Sequence, residues 1–270
     1  MNRVVLRISA GFLVGALVLL ATALWLSAHY VNEGRRLSAA GDVQGAIDAT
    51  RTAARLDPFG TEALETQATL FIQQGRNDDA ASALKEATQR DPHDYIPYLM
   101  LGNLQLNKLN ELDGAAESYR DVLRLNPKEG QVREALGQAL IEQGKLGEAK
   151  DVYEKARDEG KLSLHGLYDL GRIYVRTGEP REGLQTLIRA KSKAVKGVPR
   201  LDGQQQKKER WQLVHSMKLA IADAYVVEGK YTKARKKLIG SKSPQAPALL
   251  QLLDSNPDAY RESVLTSEIY

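Results

Sequence analysis

The residues that could do acid–base or metal chemistry are few and scattered. The four histidines, His29, His93, His165 and His215, form no metal-ligand spacing. Carboxylate pairs such as Asp78-Asp79 and Asp158-Glu159 sit where helices or turns end, and such positions are ordinarily solvated. No GxxxxGK[ST], GxSxG or HExxH motif occurs. The chain has no cysteine, which excludes disulfides, zinc–thiolate sites, thiol catalysis and a lipid-bearing cysteine anchor. The expectation is a protein that is not an enzyme, with no cofactor and no metal site.

The remaining chemistry is that of recognition. Tyr168, Arg172 and Arg176 are spaced by four, so they share one face of a helix. Tyrosine brings a rigid ring with a polar tip, and arginines can pair with carboxylates, the combination found at binding hot spots. The elements that must hold such a face are visible as an internal repeat.

Residues 135–156, ALGQALIEQGKLGEAKDVYEKA, are echoed 34 positions later by residues 169–190, DLGRIYVRTGEPREGLQTLIRA. The pattern extends in both directions, giving approximate units 27–60, 61–94, 95–129, 130–163, 164–197 and 215–248. Each holds two apolar-periodic stretches of about 12 residues, the length of two helices. Gly41, Gly75, Gly144, Gly178 and Gly229 lie between the stretches, where glycine ends a helix in the left-handed conformation. Pro58, Pro92 and Pro127 close the first three units, within the turn-forming pairs Asp57-Pro58, Asp91-Pro92 and Asn126-Pro127. The third unit carries one extra residue in NKLNELDG. Gly137 and Ala149 are expected to face each other where two helices cross.

Period, small residues and prolines together resemble the tetratricopeptide repeat family over about 80% of the chain. The residues that carry the resemblance are Gly34, Ala68, Gly102, Gly137, Gly171 and Ala222, the Ala or Gly twelve or thirteen positions after each, and the three prolines. The family's tryptophan is replaced by Tyr30, Leu64, Tyr98, Arg133, Leu167 and Lys218, and the later units lack the closing proline. The fold class expected is all-α: a right-handed solenoid of about six helix pairs, preceded by one transmembrane helix. Its divisions are an anchor at 1–28, five repeats at 27–197 and an interrupting loop and helix at 198–214. A sixth, degenerate repeat and capping helix follow at 215–254, then a tail at 255–270 without readable periodicity.

The resemblance implies a groove, lined by the first helix of each pair, that binds a protein segment. Glu62, Glu65, Thr69, Leu99, Asn103, Leu106, Glu134, Gln138, Tyr168, Arg172 and Arg176 are expected to point into it. Leu99, Leu106 and Tyr168 would be apolar anchors, though the leucines also suit the cores of their own repeats. Asn103 has Ala135 where a second clamp asparagine would stand, so the chaperone-tail clamp of some family members is not expected.

The N-terminus adds a membrane reading. From Ile8 to Ala28 no residue is charged. Twenty-one residues make a helix of ~31 Å at ~1.5 Å each, against a hydrocarbon core of ~30 Å. Arg3 and Arg7 flank one end, Trp25 and Tyr30 the other. Ala21-Thr22-Ala23 has the form of a signal-cleavage site, but the apolar run continues past it. The arginines favour a cytoplasmic N-terminus with the repeats outside; Arg35 and Arg36 blunt that bias and keep cytoplasmic repeats as the alternative. Gly11 and Gly15 form a GxxxG step that suits a transmembrane dimer. With neither Gly nor Pro from Ala16 to Glu33, the helix should run unbroken into the first repeat.

Charge is uneven. Residues 191–242 carry 14 Lys/Arg against 4 Asp/Glu, and the densest cluster is Lys230, Lys233, Arg235, Lys236 and Lys237. This basic patch opens a second reading, binding to an anionic lipid or nucleic-acid surface. Aromatics for base stacking are sparse there, so nucleic acid is the weaker partner. The leading reading is a membrane-anchored scaffold for a protein partner in a membrane or cell-envelope complex; help for exported chains is a third.

Overall fold

A computed structural model describes residues 3–200 and 202–267; of residues 3–12 only the helical backbone is described. The secondary structure of these residues is helical, in two compact units that meet in sequence at Pro127 and Lys128. The boundary falls inside what the sequence treats as one array of five repeats.

The first unit pairs α1 (Arg3–Ala39) with α2 (Val43–Leu56), α3 (Glu62–Gln73) with α4 (Asn77–Arg90), and α5 (Tyr95–Leu104) with α6 (Leu112–Leu125). α1 is a single helix from its apolar start through the first helix of the first repeat. By Ser27 α1 already packs on α2: Ser27 is buried and its hydroxyl donates to the Ala53 carbonyl at 3.0 Å. The core is built largely of alanine, with Ala46, Ala53, Ala68, Ala80 and Ala87 fully buried beside Ile47 and Leu84. Small side chains bring the helix backbones close, which is why the pattern tolerates so little at those positions. Arg90 ties one repeat to the next, its Nη1 donating to the carbonyls of Ala54, Asp57 and Gly60 at 3.0, 2.9 and 3.3 Å.

The extra residue of the third repeat is absorbed in a π-helical turn, Gln105–Leu109, that extends α5. A wider turn takes in one residue without shifting the helices on either side. Asn110 then ends it at φ 55°, taking the left-handed role that glycine fills elsewhere. Gly41, Gly75, Gly144, Gly178 and Gly229 have φ between 71° and 85°, as their place between paired helices requires.

The second unit pairs α7 (Gly130–Glu142) with α8 (Leu146–Asp158), α9 (Leu164–Arg176) with α10 (Pro180–Gly197), and α11 (Gln204–Val227) with α12 (Tyr231–Ile239). α10 and α11 are longer than their counterparts, and a 3-10 turn, Val198–Arg200, and the non-helical Asp202-Gly203 lie between them. α13 (Ala246–Ser255) follows, close to the capping helix expected. The tail then departs from its featureless reading: Pro257–Thr266 is a further helix, α14, packed against α9 and α11. The small residues also make room for large side chains. A Cβ on Gly137 would meet the ring of Tyr153, and one on Gly171 would meet Leu187. The glycine makes room for a large side chain sixteen residues on, and Ala149 and Ala156, on the same helix as Tyr153, are fully buried.

Candidate functional site

The first-helix face of the first unit holds an open hollow of about 420 Å³. Arg35 and Ser38 reach it from α1, Glu65, Thr69 and Gln73 from α3, and Met100 from α5. The helical spacing of these residues makes the set: 35 and 38, then 65, 69 and 73, share a face on each helix. Burial pushes the Glu65 carboxyl above its ordinary value, with Asp94 and Glu62 adding to the rise and the Thr61 hydroxyl opposing it. Glu62 is ion-paired with Arg35 at 2.8 Å, and the Thr69 hydroxyl donates to the Glu65 carbonyl at 2.9 Å. The hollow therefore offers a guanidinium, a carboxyl and a thioether among hydroxyl side chains, with Leu70 beside them. Arg35, Ser38, Gln73 and Met100 were not singled out from the sequence. The signal that could have found them is the face they share with Thr69 and Glu65.

Leu99 and Leu106 are half-buried, and Asn103 is exposed yet engaged, its Oδ1 accepting from the Tyr119 hydroxyl at 2.9 Å. Gln138, in the second unit, is exposed and donates to Glu142 at 3.1 Å. Glu134 serves the backbone: one carboxylate oxygen accepts from the Ser163 amide and the other from its hydroxyl, closing the turn before α9.

Tyr168, Arg172 and Arg176 lie together, as their spacing requires, but the face is covered. Tyr168 packs against the cluster that includes Tyr260 and Val264 of α14. The Arg172 guanidinium stands 5.1 Å from the Tyr168 ring centre. Arg176 donates from Nε to the Ser267 carbonyl at 3.1 Å and from Nη2 to the Ser267 hydroxyl at 3.2 Å. The Tyr260 hydroxyl donates to Asp223 Oδ1 at 2.8 Å. Burial raises the Asp223 carboxyl, against the Tyr260 hydrogen bond and the charges of Arg176 and Arg172. Burial pushes Asp169 up to about 6, with Arg172 opposing and Glu134 reinforcing.

The basic segment is partly spent on internal contacts. Lys230 pairs with Glu228 at 3.0 Å, Arg235 grips Asp254 at 3.0 and 2.9 Å, and Lys233 lies 5.8 Å from the Tyr225 ring centre. Lys236 is exposed, and burial lowers Lys237. A second concentration of positive charge lies between the lengthened helices. There Arg189, Lys193, Lys196, Arg200 and Arg210 surround Ile188 in a hollow of about 860 Å³.

Within α1, Gly11 lies among the residues whose surroundings are not described, and Gly15 has open space around its Cα. Leu13, Leu17, Leu19 and Trp25 are all more than half exposed. The stretch Leu13–Ala39 is long and apolar enough to cross a membrane by length and composition. Among the described residues no group of three or more His, Asp or Glu is placed to hold a metal ion.

A helix-pair repeat with this period, these glycines and an open first-helix face defines the class. A sequence profile of the tetratricopeptide repeat matches residues 31–95, 65–130 and 99–163, and the chain carries tetratricopeptide repeats there. Its repeats are 36% identical over 124 residues to the human protein O-mannosyl-transferase TMTC1, covering 43% of this chain and 14% of that one. They are 27% identical over 139 residues to mouse tetratricopeptide repeat protein 21B, covering 51% of this chain and 10% of that one. The chain thus matches only a small part of these relatives. Among solved structures, MamA superposes with a TM-score of 0.57 at 22% identity, over 66% of this chain and 97% of that one. PilF of Pseudomonas aeruginosa gives 0.54 at 16% identity, over 90% and 97%. YrrB, described as having an unusual peptide-binding site, gives 0.51 at 20% identity, over 60% and 82%. At these identities the likeness is one of fold. A tetratricopeptide fold supports the role of a protein-interaction scaffold.

Proposed function

We propose that this chain is a membrane-anchored scaffold that holds a segment of a partner protein on the first-helix face, as part of a membrane or cell-envelope complex. The observation that carries the reading is the open hollow framed by Arg35, Glu65, Thr69 and Met100, while the corresponding face of the second unit is covered. Its charges of both signs suit a polar segment with one apolar residue for Met100. The peptide-binding site of YrrB, on the same fold, supports a peptide as the kind of ligand. The exposed apolar side chains of α1 support the anchor, because a contiguous apolar surface of this kind is unfavourable in water and is covered when it lies in a bilayer. We favour a cytoplasmic N-terminus with the repeats on the other side, cytoplasmic repeats being the alternative, and pairing through Gly11 and Gly15 as a route to a dimer.

The test is a photo-crosslinking amino acid placed at Thr69 and, as a control, at Lys85 on α4. A discrete adduct from Thr69 that Lys85 does not give is expected, and it should be lost when Arg35→Glu reverses the charge at the rim. The same adducts from both positions would sink the reading.

A second reading rests on the five cations around Ile188, which suit an anionic surface. Binding through them should weaken steeply between 50 and 200 mM salt, roughly tenfold or more for a few phosphate contacts. Binding on the first-helix face should change far less.

A further inference from the structure

α14 joins an apolar contact to polar ones. Its buried side chains are Tyr260 and Val264. Asp223 accepts from the Tyr260 hydroxyl, Arg176 donates to Ser267 just past the helix, and Tyr168 packs in the same cluster with the Arg172 guanidinium against its ring. Tyr260 and Val264 belong to the apolar cluster of the unit, with Ile221 and Ala224 of α11 among its members, so one side of the contact is that of any helix closing a solenoid. The polar contacts are what it adds. Here a phenol is seated on a buried carboxylate, an aliphatic side chain follows four residues later, and a guanidinium grips the end of the last turn. That is how a groove reads an amphipathic helix: anchors at i and i+4, with charged groups fixing orientation.

We propose that the α9–α11 face is a receptor site for a short amphipathic helix, that α14 is its resident occupant, and that a partner helix with an aromatic hydroxyl four residues before an aliphatic side chain displaces it. The inference rests on the scaffold reading above and gives this second face its ligand class. The joint supports it. Asn256 ends α13 and caps α14, its Oδ1 accepting from the Ala259 amide at 3.0 Å, so α14 is tethered by one residue. A tethered helix competes at an effective concentration in the ~mM range, which keeps weak ligands out and admits strong ones. The pair Asp223–Tyr260 sets selectivity, since a helix lacking the hydroxyl leaves a buried carboxylate without its donor.

The experiment uses the full chain and a fluorescent peptide of residues 256–267. A chain carrying Tyr260→Ala and Val264→Asp, in which α14 no longer docks, should bind the peptide at least ~10-fold more tightly than the wild type does. A peptide carrying Tyr260→Phe should bind that chain roughly tenfold less well. Absence of binding to a variant with wild-type circular dichroism, or equal binding of the two peptides, overturns the proposal. Hydrogen exchange on the wild type decides independently of any variant. The amides of α14 should exchange at least ~10-fold faster than those of α11, by opening that leaves the unit folded. Exchange of α14 as slow as that of α11 would make it a structural cap. No partner enters these measurements, so their failure leaves the first-unit reading standing, and a failed crosslink at Thr69 leaves this one standing.

Discussion

Gly137 presents its bare Cα to the ring of Tyr153, and a Cβ there would stand 2.5 Å from the ring. Tyr153 is itself 2% exposed, so the ring has nowhere to go. Gly137→Ala should therefore destabilise the second unit by ~1–3 kcal/mol through overpacking, despite a gain of up to ~1 kcal/mol in helix propensity. Gly147→Ala, with nothing within 4 Å of its Cβ, is the control and should be neutral or stabilising by about 0.5 kcal/mol. Urea midpoints of the two variants should move in opposite directions or, at the least, only the first should move.

Tyr168 packs against the buried cluster of the second unit. Tyr168→Ala should cost ~2–4 kcal/mol in thermal or chemical unfolding. Arg172→Ala alone should cost less than ~1 kcal/mol, its pairing with Asp169 being long at 3.9 Å. Equal, small effects from both would show that Tyr168 is not part of the packed interior.

Asp169 is held protonated to about pH 6. A carboxyl whose folded value lies above its unfolded value contributes stability that is complete below the unfolded value and lost as pH rises through the folded one. Between about pH 4 and pH 6 the wild type should lose roughly 2 kcal/mol through this group. Asp169→Asn should remove that share of the pH dependence, read as the difference between the two proteins' urea midpoints at pH 4.5 and pH 7. A constant difference across that range would contradict the assignment.

Asn110 holds a left-handed conformation at φ 55° to end the π-turn. Asn110→Gly should stabilise the first unit slightly, by about 0.5 kcal/mol, and Asn110→Ala should destabilise it by about 1 kcal/mol. Differential scanning calorimetry of the three proteins gives the order Gly, Asn, Ala if the backbone conformation sets it.

Orientation is testable because the chain has no cysteine. Gln206 is exposed near the start of α11, so Gln206→Cys gives a reporter without cost to the fold. Labelling of intact cells by an impermeant thiol reagent is expected. Labelling only after lysis would put the repeats in the cytoplasm.

Much of the fold could be read from the residues because its constraints are local. Left-handed glycines, Asp–Pro turns and small residues at fixed phase act within one helix pair, and the Asp57 and Asp91 carboxylates do cap the turns, accepting from the Gly60 and His93 amides at 2.9 Å. The third repeat's extra residue was visible, but not its solution, since a π-turn has no composition of its own. α14 was illegible for a similar reason. Its apolar residues are too few for a periodic signal, and it is held by Asp223 and Arg176, 37 and 91 residues from their partners. The same distance hid the site: the spacing of Tyr168, Arg172 and Arg176 revealed their common face, but nothing nearby said that the chain would return to cover it.

α1 has one further consequence, for phase. Val31 and Gly34 are locked into the first repeat, with Gly34 set against Thr50 and the Ala46 carbonyl. Everything upstream is carried on the same rigid screw, with no joint to absorb a change. One residue inserted near Leu26 would swing the apolar segment by about 100° about the axis and advance it by about 1.5 Å, while seven would restore the bearing almost completely. Activity that falls and recovers with the length of such insertions would mean that the protein transmits an angle, and that its apolar segment has a side that matters.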